Sequence, residues 1–183
     1  MHFYKDSLCP ICKIGFSRDY GYFKDMLYGN DGQWSLVRCD HCKHESVSPI
    51  LSPEELAAIY DIDRYYSFNT QGKNKIISFI RSKTRCMFPR DLVGKRFLYY
   101  GCGDGELLNL ANDKGAEVFG IEFGETAQLL REQTGYAIES EHPSDWLGTM
   151  DYVRSFHSYE HIVDPLKVLK GFKELIVPNT GRI

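Results

Sequence analysis

Nowhere in the 183 residues is there a run of about 18 apolar side chains, the length a bilayer-spanning helix needs, so no membrane anchor is expected. The opening stretch Met1-His2-Phe3-Tyr4-Lys5-Asp6 lacks the apolar centre of an export signal, which makes the cytoplasm the expected compartment. A basic excess is missing as well. The formal net charge is -3, and the first fifty residues hold six Lys/Arg against six Asp/Glu, so there is no basic stripe for a phosphate backbone and nucleic acid is a poor partner. No internal repeat or low-complexity tract is present. What remains, at 43% hydrophobic and 26% charged, has the composition of a soluble globular protein. Its length admits one ordinary core and a small appendage, not two large domains.

Four of the six cysteines form two doublets, Cys9-Pro10-Ile11-Cys12 and Cys39-Asp40-His41-Cys42, with 26 residues between them. Without an export signal, this spacing reads as metal binding and not as disulfides. Four thiolates satisfy zinc tetrahedrally and leave no open position, so the expected role is structural. His41 or His44 in place of one thiolate is the alternative ligand set. A segment this short has little core of its own and needs the metal to fold.

The chain is expected to divide into a zinc ribbon over 1–50, a helical linker over 51–94 and a nucleotide-binding domain over 95–183. In the first part, Tyr20 to Leu27 and Trp34 to Arg38 flank the turn cluster Gly29-Asn30-Asp31-Gly32, a pattern for strands and a hairpin. Ser52-Pro53-Glu54-Glu55 then carries a helix start, with Ser52 as N-cap and Glu55 completing a capping box; Leu56, Ile59 and Tyr60 supply one face. A second amphipathic stretch runs from Asn74 to about Lys83, and Pro89 closes the linker. From Arg96 onward strand and helix patterns alternate, as in a parallel sheet covered by helices. The reading is strand Phe97 to Tyr100, helix Glu106 to Lys114, strand Glu117 to Glu122, helix Thr126 to about Thr134, and strand Tyr136 to Ile138. A strand Asp151 to Phe156, a helix capped by Asp164-Pro165 and running to about Ile176, and the opening of a fifth strand at Gly181-Arg182-Ile183 follow.

Gly101-Cys102-Gly103-Asp104-Gly105 falls between a strand and a helix, where glycines let the backbone turn sharply and approach a ligand. Glu122 lies 19 residues after Gly103, at the end of the next strand, from which a carboxylate can accept hydrogen bonds from both ribose hydroxyls of an adenosine. A dinucleotide site would want Gly or Ala at position 106. Glu106 stands there, and its charge would repel a pyrophosphate at the helix N-terminus.

On these residues the chain resembles class I S-adenosylmethionine-dependent methyltransferases, whose first motif ends in Gly-x-Gly-x-Gly and whose second strand ends in an acid. Phe156-His157-Ser158-Tyr159-Glu160-His161-Ile162-Val163-Asp164-Pro165 and Pro178-Asn179-Thr180-Gly181-Arg182-Ile183 extend the resemblance, which covers about residues 95–183. It implies a Rossmann-like methyltransferase sheet, here incomplete at about five strands, with S-adenosylmethionine as cofactor. The implied cofactor contacts are Gly101, Cys102, Gly103 and Gly105 in the loop and Glu122 with Phe123 after the second strand. Glu141 after the third strand and Tyr99 are added, Tyr99 occupying the place where the family carries an acid. Cys102 itself reads as a small packing residue. Arg154, inside a strand that should be apolar, is expected at a strand end, paired with an acid, or marking a damaged core.

The order of ribbon, Ser-Pro-Glu-Glu-Leu helix, Tyr-rich linker and methyltransferase core also resembles bacterial methyltransferases that act on sugars. This implies a small-molecule acceptor, best guessed as a sugar or nucleotide-linked sugar, with Tyr65 and Tyr66 walling its pocket; packing at the domain junction is the other reading of these two residues. Methyl transfer needs alignment more than acid–base help. A base is still useful for a hydroxyl, and His161, His157 and Glu160 leave the carboxyl end of the fourth strand. The competing reading is a catalytically degenerate or truncated fold kept as a binding module. An open sheet edge would then self-associate or be covered by a partner. A ribbon-guided nucleic-acid enzyme is a third.

Overall fold

The computed structural model of the protein describes residues 8–14, 18–26, 32–49, 51–52, 55 and 88–183. The helix expected beyond Glu55 with Leu56, Ile59 and Tyr60, the tyrosines Tyr65 and Tyr66, the 74–83 stretch and Cys86 lie outside the described residues. The chain divides into two compact units, Met1–Arg64 with Ile162–Val168 and Tyr65–His161 with Leu169–Ile183. No helix among the described residues is long and apolar enough to cross a membrane.

In the first unit, β1 (Arg18–Phe23), β2 (Trp34–Arg38) and β3 (Glu45–Ser48) form an antiparallel sheet in the order β1-β2-β3. The register of β2 on β3 pairs Leu36 with Val47, and a bulge interrupts the β1–β2 ladder between Asp19 and Tyr22. Alternation along β2 buries Ser35 and Val37 and leaves Leu36 exposed, the period-two pattern of a one-sided sheet. The expected hairpin is present. A third strand joins it, which sequence reading missed because Glu45-Ser46-Val47-Ser48 offers a single apolar residue. At Ser52 the capping box forms as expected: the Glu55 amide donates to Ser52 Oγ at 3.2 Å and the Ser52 amide to Glu55 Oε2 at 2.7 Å.

The second unit holds a parallel sheet of β4 (Arg96–Tyr100), β5 (Glu117–Ile121), β6 (Ala137–Glu139) and β7 (Tyr152–Ser155), in the order β6-β5-β4-β7. Helix α1 (Glu106–Asp113) connects β4 to β5, α2 (Gly124–Thr134) connects β5 to β6, and α3 (Pro165–Leu175) follows β7. Asp164 caps α3, its Oδ1 accepting from the Lys167 amide at 3.1 Å. Leu107, Leu108 and Ala111 of α1 and Ala127 and Leu130 of α2 pack with Phe97, Val118, Ile138 and Tyr152 of the strands into one core. On the other face Tyr100 meets Phe172 of α3 at 5.1 Å and Phe119 meets Trp146 at 5.1 Å, both edge-on.

One sequence expectation is corrected here. Gly181–Ile183 does not open a full fifth strand. The Gly181 amide is turned back onto the Val177 carbonyl, so Arg182 alone reaches β7, as a parallel bridge to Tyr152. Arg154 is the penultimate residue of β7, half-buried, next to the strand end as expected, and its guanidinium packs over the rings of Phe88 and Phe156, each 5.7 Å away.

Candidate functional site

The switch in strand order lies between β4 and β7, and the glycine loop leaves β4 at that point. Ligands in open parallel sheets bind outside the carboxyl ends of the strands at such a place. Gly101 has φ 70°, and a Cβ built on it would stand 2.2 Å from Ser158 Oγ, so no side chain fits between the loop and the segment after β7. Gly103 has φ 55°, but a Cβ there would meet nothing within 4 Å, so the loop backbone is bare toward open space. The loop closes with Gly105 as N-cap of α1, and the Glu106 amide is taken by Asp104 Oδ1 at 3.1 Å. Two acids at this helix start favour an uncharged or cationic ligand over a phosphate.

Glu122 leaves the end of β5, 8% exposed, and its carboxylate ties the two halves of the site together. Oε2 accepts from the Gly103 amide at 2.5 Å and Oε1 from the Phe123 amide at 2.9 Å. Each oxygen retains lone pairs for further donors such as a ribose diol. Burial pushes its pKa above the usual carboxylate range, against the opposing pull of the Phe123 and Gly103 amides. The Phe123 ring is exposed next to it and meets Tyr100 edge-on at 5.8 Å, while burial pushes the Tyr100 phenol up to about 12. Cys102 is buried and its thiol is raised by desolvation, which suits a packing residue and not a nucleophile. Glu141 is exposed in the turn after β6, between that strand and the 3-10 turn Ser144–Trp146.

At the end of β7 the segment turns through His157, at φ 52°, into a 3-10 turn of Tyr159–His161. His157 and His161 are both exposed, and the His161 amide donates to the Ser158 carbonyl at 3.1 Å. The Glu160 side chain lies outside the described residues. Tyr99 turns its hydroxyl toward β7, donating to the Phe156 carbonyl at 3.3 Å. Ser158 was not singled out from sequence, yet its Oγ sits 3.2 Å from both the Gly101 and the Phe156 carbonyls. The steric need for glycine at 101, once a partner loop is known, is the signal that points to it.

In the ribbon, the sulfurs of Cys9, Cys12, Cys39 and Cys42 lie within 4.8 Å of one another, with Cys9–Cys42 at 3.6 Å and Cys12–Cys39 at 3.5 Å. Zinc–sulfur bonds of about 2.3 Å in a tetrahedron put sulfurs roughly 3.8 Å apart, so the donor set fits that ion. The two doublets repeat one turn: Cys9 accepts from Lys13 and donates to Ile14, Cys39 accepts from Lys43 and donates to His44, and Lys13 and Lys43 are both left-handed, at φ 60° and 65°. The Cys42 amide, ahead of that of His41, holds the Cys39 thiol down at about 7 against its burial. Neither His41 nor His44 belongs to the cluster among the described residues.

Residues 72–183 match the family described as Methyltransferase domain. A stretch of 97 residues is 33% identical to the ubiquinone biosynthesis O-methyltransferase of Vibrio parahaemolyticus, covering 48% of this chain and 41% of that protein. The protein of the same name from Acinetobacter baylyi is 35% identical over 98 residues, again 48% of this chain and 41% of the relative. The matched stretch thus spans less than half the length of these relatives. A solved S-adenosylmethionine-dependent methyltransferase from Mesorhizobium loti is 18% identical, with a TM-score of 0.43 over 64% of this chain and 51% of that one. With its family match running over more than half its length, the chain belongs to the methyltransferase-domain family.

Proposed function

We propose that the chain carries out methyl transfer from S-adenosylmethionine to a hydroxyl of a small molecule. The observation that carries this is Glu122: a buried carboxylate at the end of β5, bound to the bare glycine loop through the Gly103 amide and still able to accept from two hydroxyls. Gly103 would let the cofactor lie against the loop backbone, Gly101 and Gly105 leave room for Ser158 and Leu130, and Phe123 would cover one side of the cofactor's base. When bound, the sulfonium supplies an activated methyl group and leaves as a neutral thioether. Positioning by the chain would supply most of the rate, and a ring nitrogen of His157 or His161 would take the acceptor's proton. Zinc in the ribbon is scaffold, because four thiolates leave it no open position.

For the acceptor, the relatives named O-methyltransferases favour oxygen as the methylated atom. The layout of ribbon, capped helix and core is the support for a sugar, and the name of those relatives points instead to a quinone precursor. The test is calorimetric titration of the zinc-loaded chain with S-adenosylhomocysteine. Micromolar binding is expected, followed by transfer of labelled methyl to a panel of nucleotide-sugars and hydroxylated aromatics. A folded chain that binds no S-adenosylhomocysteine would overturn the reading and leave the fold as a binding module.

A further inference from the structure

We infer that Tyr99 and Ser158 are positioning residues for His157, so that Tyr99 serves the acceptor side of the site and not the amino-acid end of the cofactor. The inference rests on the reading of the chain as a methyltransferase. Two contacts converge on the Phe156 carbonyl, and a third joins Ser158 to the glycine loop. The Phe156 carbonyl accepts from the Tyr99 hydroxyl at 3.3 Å and from Ser158 Oγ at 3.2 Å, and the same Ser158 oxygen lies 3.2 Å from the Gly101 carbonyl. The end of β7 is thereby fastened to β4 on one side and to the glycine loop on the other. The missing Cβ of Gly101 makes that closeness allowable.

Between the fastened carbonyl and the fastened hydroxyl sits His157, at φ 52°. A residue with a Cβ holds that left-handed conformation where its surroundings over-determine it, and such residues gather at functional sites. The His157 ring is exposed yet not adrift, since it lies edge-on against Phe156 with centroids 4.2 Å apart. The arrangement therefore fixes an imidazole, solvent-open on one side, at the carboxyl end of a strand that borders the switch point. That is where an acceptor, and not the far end of the cofactor, needs a proton-accepting group. Tyr99 meanwhile is buried at 7% exposure and neutral, so it offers an ammonium group no counter-charge in place of the family's acid.

The test uses the full zinc-loaded chain with carbon-13-labelled histidine, and the variants Tyr99→Phe and Ser158→Ala, each of which removes one hydroxyl. The His157 ring signal is assigned from its loss in His157→Gln. Both variants should displace or broaden that signal and leave those of His41 and His142 in place, while Tyr99→Phe changes S-adenosylhomocysteine affinity by less than about twofold. Affinity falling by about tenfold or more with the His157 signal unmoved would overturn the inference and return Tyr99 to the cofactor. An unmoved signal with unchanged affinity would overturn it too. Should Tyr99→Phe fail to fold, Ser158→Ala alone decides whether the His157 signal depends on the clamp. If the unaltered chain binds no S-adenosylhomocysteine, the methyltransferase reading fails separately, and the His157 signal still reports on the clamp.

Discussion

The two units solve the same thermodynamic problem with different means. The Rossmann-like unit buries Leu98, Leu107, Leu108, Ile138, Met150 and Leu175 almost completely, enough apolar surface to offset the entropy of ordering its chain. The buried residues described in the ribbon are Cys9, Pro10, Ser35, Val37, Cys39 and Ser48, two of them members of the cysteine cluster and two polar. Two of its three short strands, β1 and β2, lie between the cysteine turns, and a metal held by the four thiolates would do there what the apolar core does in the other unit. The difference teaches that these folds are independent in origin of stability, and it is broken or sharpened by removing each source in turn. Chelating zinc, or replacing Cys39 by Ser, forfeits an interaction on the order of 10 kcal/mol. Amide-exchange protection should then vanish over Trp34–Arg38 and persist over Arg96–Tyr100. Protection surviving at both would show a ribbon core sufficient without metal.

The complementary cut is Leu108→Ala, which empties space in the core shared by β4, β5 and α1. It should cost about 2–5 kcal/mol of stability in that unit, read as a lower denaturant midpoint with zinc stoichiometry unchanged at one ion per chain. Next in size is Glu122→Gln, which keeps the shape of the side chain but removes its charge. Loss of charge-assisted hydrogen bonds to a ribose, worth about 1.5–3 kcal/mol, predicts S-adenosylhomocysteine affinity down by roughly ten- to a hundredfold with little change in the ribbon. The pH dependence has a definite sign. Burial raises the Glu122 pKa, so in the unaltered chain affinity should decline as pH falls through that raised value, and this acid limb should be absent in Glu122→Gln. A pH-independent affinity in the unaltered chain would remove Glu122 from the site.

What could be read from sequence was what depends on short spacings. The cysteine doublets, the Ser52–Glu55 capping box and the strand–glycine loop–helix unit are each specified within a few residues, and each is present as written. Glu122 was reachable because one helix and one strand fix its distance from the loop. The Tyr99–Phe156 and Ser158–Gly101 contacts join residues 57 apart, across a sheet order that periodicity does not encode, and so were invisible. Tyr99 accordingly looked like a defect in a cofactor motif when its hydroxyl has work within the fold. Arg154 looked costly for the same reason: its ring partner Phe88 belongs to a segment 66 residues earlier. The third ribbon strand escaped because polar residues dominate it, and its pairing is set by backbone register with β2 and not by an apolar pattern.

The smallest effect expected lies at the opposite end of the sheet from the glycine loop. Tyr152 donates to Asp91 Oδ1 at 2.8 Å, and this bond holds the Asp91 pKa below its usual value, while Asp91 in turn raises that of Tyr152. For the carboxylate, a depressed native pKa means the unfolded chain binds the proton first. The contribution is present above the ordinary carboxylate value and is lost as pH falls through the depressed one. For the phenol, a raised native pKa means the unfolded chain ionises first, so the contribution declines as pH rises past about 10. Asp91 is solvent-exposed, so screening keeps the effect small. Asp91→Asn keeps an acceptor for the phenol and should flatten the acid limb, whereas Tyr152→Phe should remove both limbs. Equal pH profiles for the two variants and the unaltered chain would mean that the bond carries no stability, and that the amino end of the sheet is held by the Lys95–Asp151 pair at 3.0 Å and the core alone.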